Sequence, residues 1–251
     1  MDYSISTIVL ISVLLFFVSI LYSSVGHGGA SGYLAILSFF SFSPNEMATT
    51  ALILNILVSG IAFYFYMKAG YFSFKLTLPF TLTSIPAAFI GGVLHISNEI
   101  YYLLLAIALI FAAIRMVMPS NEKDIKSNIK LPKYPITLTS GASIGLLSGI
   151  IGVGGGIFLS PIMILMRWAG TKETSATAAF FILVNSIAGL AGRYTHNDIR
   201  IEVLLPFIIV ALIGGCIGSY MGAHKFSSLA LRKILSVVLL IAAIKSITKC
   251  F

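Results

Sequence analysis

Residues 23–32 read SSVGHGGASG and residues 149–158 read GIIGVGGGIF, two glycine-rich runs half a chain apart in an otherwise oily sequence. Glycine permits positive φ and close backbone approach. In lipid, irregular backbone survives only where it is enclosed by protein or lines a watery cavity. The two runs are therefore where regular helix is expected to stop, and what flanks them decides the fold.

The flanks are apolar. Of 251 residues, 58% are hydrophobic and 10% charged, and the mean hydropathy is +1.03. Soluble domains run near ~45–50% apolar and ~25% charged, so the chain reads as an all-α integral membrane protein. A spanning helix needs about 20 apolar residues, with a range of ~17–25. Such segments cover approximately 5–25, 47–67, 75–95, 100–118, 134–151, 174–193, 201–223 and 228–248. Two more, 30–42 and 156–169, are apolar but short, and each follows one of the glycine runs. The first segment lacks a basic leader region and a small-residue cleavage site, so it is expected to stay in the membrane rather than be removed as a signal peptide.

The halves resemble each other at an offset of 126 to 127 residues. Gly26, Gly28 and Gly29 align with Gly152, Gly154 and Gly155; Glu46, Thr50, Pro79 and Gly91 align with Glu173, Thr177, Pro206 and Gly218. A period this long means duplicated halves, not a solenoid. The expected organisation is a first membrane repeat over 1–118, a basic linker over 119–133 and a second repeat over 134–251. Each repeat holds about five apolar segments and opens with a glycine-rich re-entrant or broken helical hairpin. Whether those hairpins dip and return or cross fully is open at this point. Either way the number of crossings per half is odd, so the second half is inverted.

Charge placement supports that count. The net charge is +8, yet no Lys or Arg precedes Lys68, and the densest cluster is Arg115, Lys123, Lys126, Lys130 and Lys133. This is the pattern of basic cytoplasmic loops and argues against a nucleic-acid partner. With the N-terminus outside, the cytoplasmic connections and their flanks hold ten basic residues, from Lys68 to Lys225. The external side keeps mainly Arg193, Arg200, Lys245 and Lys249. The expected setting is the plasma membrane, multi-pass, with the central loop cytoplasmic. Cys216 and Cys250, the only cysteines, do not suggest a disulfide framework.

A glycine break followed by a short helix exposes free N–H groups and the positive end of the helix dipole, a ready anion site. Inverted repeats whose broken helices meet near the midplane are the usual build of secondary transporters. The competing reading is packing, because small residues also let membrane helices approach closely. Gly141, Gly145 and Gly149, at spacing four, read that way. Two symmetric runs, each followed by a truncated segment, favour a site. His27 occupies the tip of the first run, whereas all eight acids fall at segment ends or in loops. Glu46 itself completes the pattern Ser43-Pro44-Asn45-Glu46, a helix-opening capping box. With no carboxylate in mid-segment, the site is one of N–H groups, hydroxyls and amides, which suits an anion. The candidate substrate-binding residues are Gly26, His27, Gly28, Gly29, Ser31, Thr50, Asn55, Gly152, Gly154, Gly155, Gly156, Thr177 and Asn185. No metal or cofactor is expected. Bulk added at Gly28 or Gly154 is expected to abolish binding while leaving folding largely intact.

Rival readings are an anion channel and an intramembrane serine hydrolase using Gly29-Ala30-Ser31-Gly32. The hydrolase lacks a histidine in the middle of a later segment to act as base.

GHGGASGYL at 26–34, GIIGVGGGIFLSPIM at 149–163 and SPNEMATTA at 43–51 resemble the TauE/SafE sulfite-exporter family of membrane permeases, over essentially the whole chain. The resemblance implies transport of sulfur-containing oxyanions such as sulfite or organosulfonates. Val153 stands where the first run has His27, so a ring is not carried over to both halves. The expected partners are a small anionic substrate, the lipid bilayer, a coupling ion (a proton or another) and further copies of the chain.

Overall fold

A computed structural model describes residues 4–40, 42–117, 132–194, 201–224 and 229–249. The linker expected at 119–133 lies outside these residues except for its last two. The described residues form ten helices and no strand. They are α1 (Ile5–Ser23), α2 (Ala30–Ser38), α3 (Pro44–Lys68), α4 (Phe74–Val93), α5 (Asn98–Val117), α6 (Tyr134–Ile151), α7 (Gly156–Leu165), α8 (Thr171–Tyr194), α9 (Ile201–His224) and α10 (Leu229–Ile247).

Six of these helices are long and apolar enough to cross a membrane. In α1 the buried residues Ile11, Leu15, Val18 and Tyr22 form one helical stripe, while Val9, Val13 and Phe17 are exposed. A helix apolar all round, with one face left bare, is solvated by lipid. The inward faces carry the polarity instead: Ser19, Ser23, Asn55, Ser59, Thr77, Ser84, Thr177 and Asn185 are wholly buried.

The short segments stay short. α2 has nine residues and α7 ten. At ~1.5 Å per residue they reach roughly 15 Å, half of a ~30 Å hydrocarbon core. α2 turns back along α1, since Ser31 Oγ meets Tyr22 Oη at 2.7 Å and Tyr33 Oη meets Ser19 Oγ at 2.8 Å. α1 and α2 therefore form a hairpin closed by side-chain contacts.

α3 begins where the capping box places it. Ser43 Oγ accepts from the Glu46 N–H at 3.3 Å, the Glu46 carboxylate accepts from the Ser43 N–H at 2.8 Å, and Pro44 fills the first turn. α6 packs on α4 through Gly141, Gly145 and Gly149, whose missing side chains admit the carbonyls of Phe80, Ser84 and Ala88. Gly214, Gly218 and Gly222 of α9 do the same for the carbonyls of Phe16, Ile20 and Ser24 in α1.

The helix partnerships map onto themselves when the halves are exchanged. α1 packs on α9 as α6 packs on α4, α3 on α9 as α8 on α4, and α2 on α3 as α7 on α8. α3 and α8 pair with each other at the centre, and so do α5 and α10 farther out. α3 and α8 run antiparallel. Asn45 of α3 meets Arg193 of α8 at one end, and Tyr66 meets Lys172 at the other.

Candidate functional site

Both short helices start from a glycine in the left-handed region. Gly29, the N-cap of α2, has φ +102°, and Gly155, the N-cap of α7, has φ +81°. A residue with a Cβ is strained there. Neither N-cap supplies a side chain, so the first N–H groups of both helices need acceptors from elsewhere.

One acceptor arrives from α3. Asn55 is fully buried, and its Oδ1 accepts from the Ala30 N–H at 3.1 Å. Its Nδ2 donates to the Val153 carbonyl at 3.2 Å and toward Ser186 Oγ at 3.4 Å. A single amide therefore joins the start of α2 to the second glycine run. The glycines close around it. A Cβ on Gly154 would lie 2.5 Å from Asn55 Nδ2, and one on Gly28 would lie 2.9 Å from Asn55 Cγ. Ile182 Cγ2 lies 3.1 Å from the Gly28 Cβ position and 2.8 Å from that of Gly154. Ile182 aligns with Asn55 at the 127-residue offset, so the two runs meet across an unlike pair, one amide and one aliphatic side chain.

His27 ties the first run to α7. Its Nδ1 lies 3.0 Å from the Val25 carbonyl. A carbonyl only accepts, so that nitrogen carries the proton. Nε2 then faces Ser160 Oγ at 3.2 Å, and that hydroxyl also reaches the Gly156 carbonyl at 2.9 Å. Ser175 Oγ of α8 donates to the same Val25 carbonyl at 2.9 Å. The first run is thus held from the second half at three points: Ser160, Ser175 and, through Asn55, Val153.

Among the described residues, no acceptor pairs with the N–H groups of Gly28, Gly29 and Ser31 on one side, or of Gly154, Gly155 and Gly156 on the other. Six donors at two facing helix starts, with both dipoles positive there, can hold an oxyanion.

The remaining candidates separate. Gly26 and Gly152 pack against Ser175 and Ala48, which are themselves aligned positions. The Ser31 hydroxyl is paired with Tyr22 and makes no hydrogen bond to His27. Thr177 Oγ1 accepts from Thr77 of α4 at 3.2 Å, away from the runs. Thr50 is buried on α3, without a hydrogen bond to either run among the described residues. Asn185 turns its Nδ2 to the Phe181 carbonyl within its own helix, and its buried Oδ1 has no hydrogen-bond partner. Sequence reasoning passed over Ser175 and Ser186. Serine is too common in this chain to stand out, and only the fold brings these two to the runs and to Asn55.

Sequence reasoning placed Arg193 with the external charges and did not name it as a residue that meets the second run. Arg193 is 8% exposed at the end of α8. Its Nη2 donates to the carbonyls of Gly149, at 3.0 Å, and Ile150, and its Nη1 donates to Asn45 Oδ1 at 3.1 Å. The guanidinium sits on the last turn of α6, immediately before the second run. It lines a cavity of about 230 Å³ together with Asn45, His95, Asn98, Tyr101 and Ile150.

The protein family described as "Sulfite exporter TauE/SafE" matches residues 11–246. Among curated proteins, "Probable membrane transporter protein y4hK" of Sinorhizobium fredii is 35% identical, covering 94% of this chain and 96% of its own. "Probable membrane transporter protein YdhB" of Bacillus subtilis is 25% identical, covering 96% and 100%. "Probable membrane transporter protein MJ0441" of Methanocaldococcus jannaschii is 29% identical, covering 89% of each. No solved structure matches the chain.

Proposed function

Because the chain belongs to the TauE/SafE sulfite-exporter family of membrane transporters, we propose that it is a secondary exporter of small sulfur-containing anions, sulfite or an organosulfonate, working by alternating access. The observation that carries this reading is Asn55, which joins the start of α2 to the second glycine run, between two helices whose N-cap glycines supply no side chain. Roughly half a positive charge at each helix start balances one negative charge without a fixed cation at the centre. His27 adds a ring that reaches the second half, its Nδ1 proton on the Val25 carbonyl and its Nε2 at Ser160.

The antiparallel α3–α8 pair and the exchange symmetry of the helix contacts support inverted halves. The proposed orientation puts the N-terminus outside and the central basic loop in the cytoplasm. A single cysteine introduced at Lys126 is then expected to resist a membrane-impermeant maleimide in intact cells and to react once the cells are opened. Labelling from outside would invert the orientation.

Counterflow of sulfite and of a small alkylsulfonate in proteoliposomes tests the function. The expected result is saturable exchange of at least one of them, absent from protein-free vesicles. The hydrolase reading takes Ser31 as nucleophile, and that hydroxyl is paired with Tyr22 and makes no hydrogen bond to His27. Ser31→Ala is expected to weaken exchange a few-fold, because the Tyr22 contact is lost but no nucleophile is. Absence of exchange in the wild type, together with a hydrolytic turnover that Ser31→Ala abolishes, would favour the hydrolase.

A further inference from the structure

The end of α10 carries two lysines, Lys245 in its last turn and Lys249 in the turn that follows. Four residues apart, they share one face. Each ammonium stands over a ring that another helix supplies. Lys245 Nζ is 5.1 Å from the ring centroid of Phe39, at the end of α2. Lys249 Nζ is 4.9 Å from that of Tyr102 in α5, and donates to Tyr102 Oη at 3.4 Å. A ring face holds a cation in place without neutralising it. An ammonium has three donors. Among the described residues Lys249 uses one of them and Lys245 none. Glu99, three residues before Tyr102, is hydrogen-bonded to Ser97 at the start of its own helix. The two positive charges are therefore uncommitted.

Two ordinary accounts of such lysines fall short. A cation complements the dipole at a helix C-terminus, but that needs no ring from α2 or α5. Reaching out to water along an apolar stem accounts for Lys249, which is exposed, whereas Lys245 is only half-exposed beside Phe39. In the proposed orientation this is also the external face, where membrane proteins are poor in basic residues. Arg193, on that face, meets the carbonyls of α6, while Lys245 and Lys249 meet only rings and one phenol. The surface that continues into the membrane from them is bare and apolar. Ile241 and Ile244 of α10 are exposed, and so are Ile100 and Leu103 of α5, the helix that packs on α10. Uncommitted cations above lipid-facing hydrocarbon match an anionic amphiphile.

We propose that Lys245 and Lys249, with the Tyr102 hydroxyl, hold the phosphate of an anionic phospholipid whose acyl chains lie along the exposed faces of α5 and α10. A phosphodiester has two free oxygens, one for each ammonium, and charge-assisted bonds of this kind are the strong ones. The headgroup then joins three helices at one end, α2 through Phe39, α5 through Tyr102 and α10 through the lysines. α2 is the short helix whose first N–H groups include the Ala30 donor to Asn55. The lipid therefore secures the far end of that helix.

Native mass spectrometry of the purified full-length protein in detergent tests it, with phosphatidylglycerol as the probe and phosphatidylcholine as the zwitterionic comparison. The wild type is expected to retain one phosphatidylglycerol more than the Lys245→Gln, Lys249→Gln double variant, whose affinity for that lipid drops at least tenfold. The Lys245→Arg, Lys249→Arg pair keeps the charge and is expected to keep the lipid. Lys249 is exposed, so Lys249→Gln alone decides the matter if the double variant fails to fold, with a loss of several-fold expected. Equal retention of phosphatidylglycerol by the wild type and the glutamine variants would overturn the site. Phosphatidylcholine held as firmly as phosphatidylglycerol, or a loss in the arginine pair as large as in the glutamine pair, would overturn it too. Displacement of the lipid by sulfite, or equally tight binding of glycerol 3-phosphate, would assign the lysines to a free anion and end the proposal. Lipid retention is read without transport, so failure here leaves the counterflow result standing, and failure of counterflow leaves this site standing.

Discussion

Asn55→Leu is expected to abolish sulfite counterflow and to lower the unfolding temperature sharply. Leucine fills the same space but leaves the Ala30 N–H and the Val153 carbonyl buried without partners. Each orphaned group costs about 1–3 kcal/mol. The sum, on the order of 2–6 kcal/mol, is a large part of a typical domain's stability. Asn55→Asp separates architecture from binding. Its carboxylate still accepts from Ala30, so this variant is expected to fold better than the leucine one. It also puts a negative charge between the two helix starts, so anion affinity is expected to drop on the order of 100-fold, about 2.7 kcal/mol. Thermal unfolding beside sulfite binding reads out both effects. Wild-type affinity in Asn55→Asp would remove the anion from the glycine runs.

The second large effect belongs to the glycines themselves. From sequence, bulk at Gly28 or Gly154 was expected to block the anion and spare the fold. The structure revises the second half of that expectation, because the space beside both residues is already filled by Asn55 and Ile182. Gly154 also holds φ +78°, a conformation that adds of order 1–3 kcal/mol of strain for a residue with a Cβ. Gly154→Val is therefore expected to lose both binding and stability. Gly28 is the more informative position, because its φ is not positive and its obstacle is a side chain. Gly28→Ala alone is expected to destabilise by about 1–3 kcal/mol through overpacking. In an Asn55→Ala background much of that loss should vanish, since the obstructing amide is gone, while transport stays absent. A double-mutant cycle on unfolding free energy measures the coupling. Strict additivity would mean that Gly28 and Asn55 do not press on each other.

The helices were nearly all readable because lipid imposes a simple rule of length and hydropathy. The segment expected at 134–151 is α6 to the residue, and 5–25 became α1 at Ile5–Ser23. The capping box at Ser43–Glu46 was readable as well, since its chemistry is local. The meeting of the two runs followed from the repeat, but the residue joining them did not. Asn55 stood in the candidate list beside Asn185 on equal terms, both being amides in mid-segment. Only the packing of α3 against both runs distinguishes them: Asn55 spans the halves, whereas Asn185 bonds back into its own helix. The inward turn of Arg193 was not readable, for a related reason. Near a helix end, a cation reads as solvent-facing. The fold instead folds that side chain inward onto the carbonyls of α6, a partner more than forty residues away in sequence.

The unlike pairs at aligned positions carry a consequence for assembly. His27 faces Val153 in the alignment, Asn55 faces Ile182, Tyr66 faces Arg193, and Asn45 faces Lys172. Two identical half-length chains, associating in opposite orientations, would put two amides or two isoleucines at the centre. They would also put a pair of arginines or a pair of tyrosines where this chain has one of each, Tyr66 on the Ser24 carbonyl and Arg193 on those of Gly149 and Ile150. The bridge from Ala30 to Val153 through Asn55 is made by one residue of each kind, so two copies of either half alone do not supply its parts. A chain cut between the two halves is functional only if both different pieces are present together.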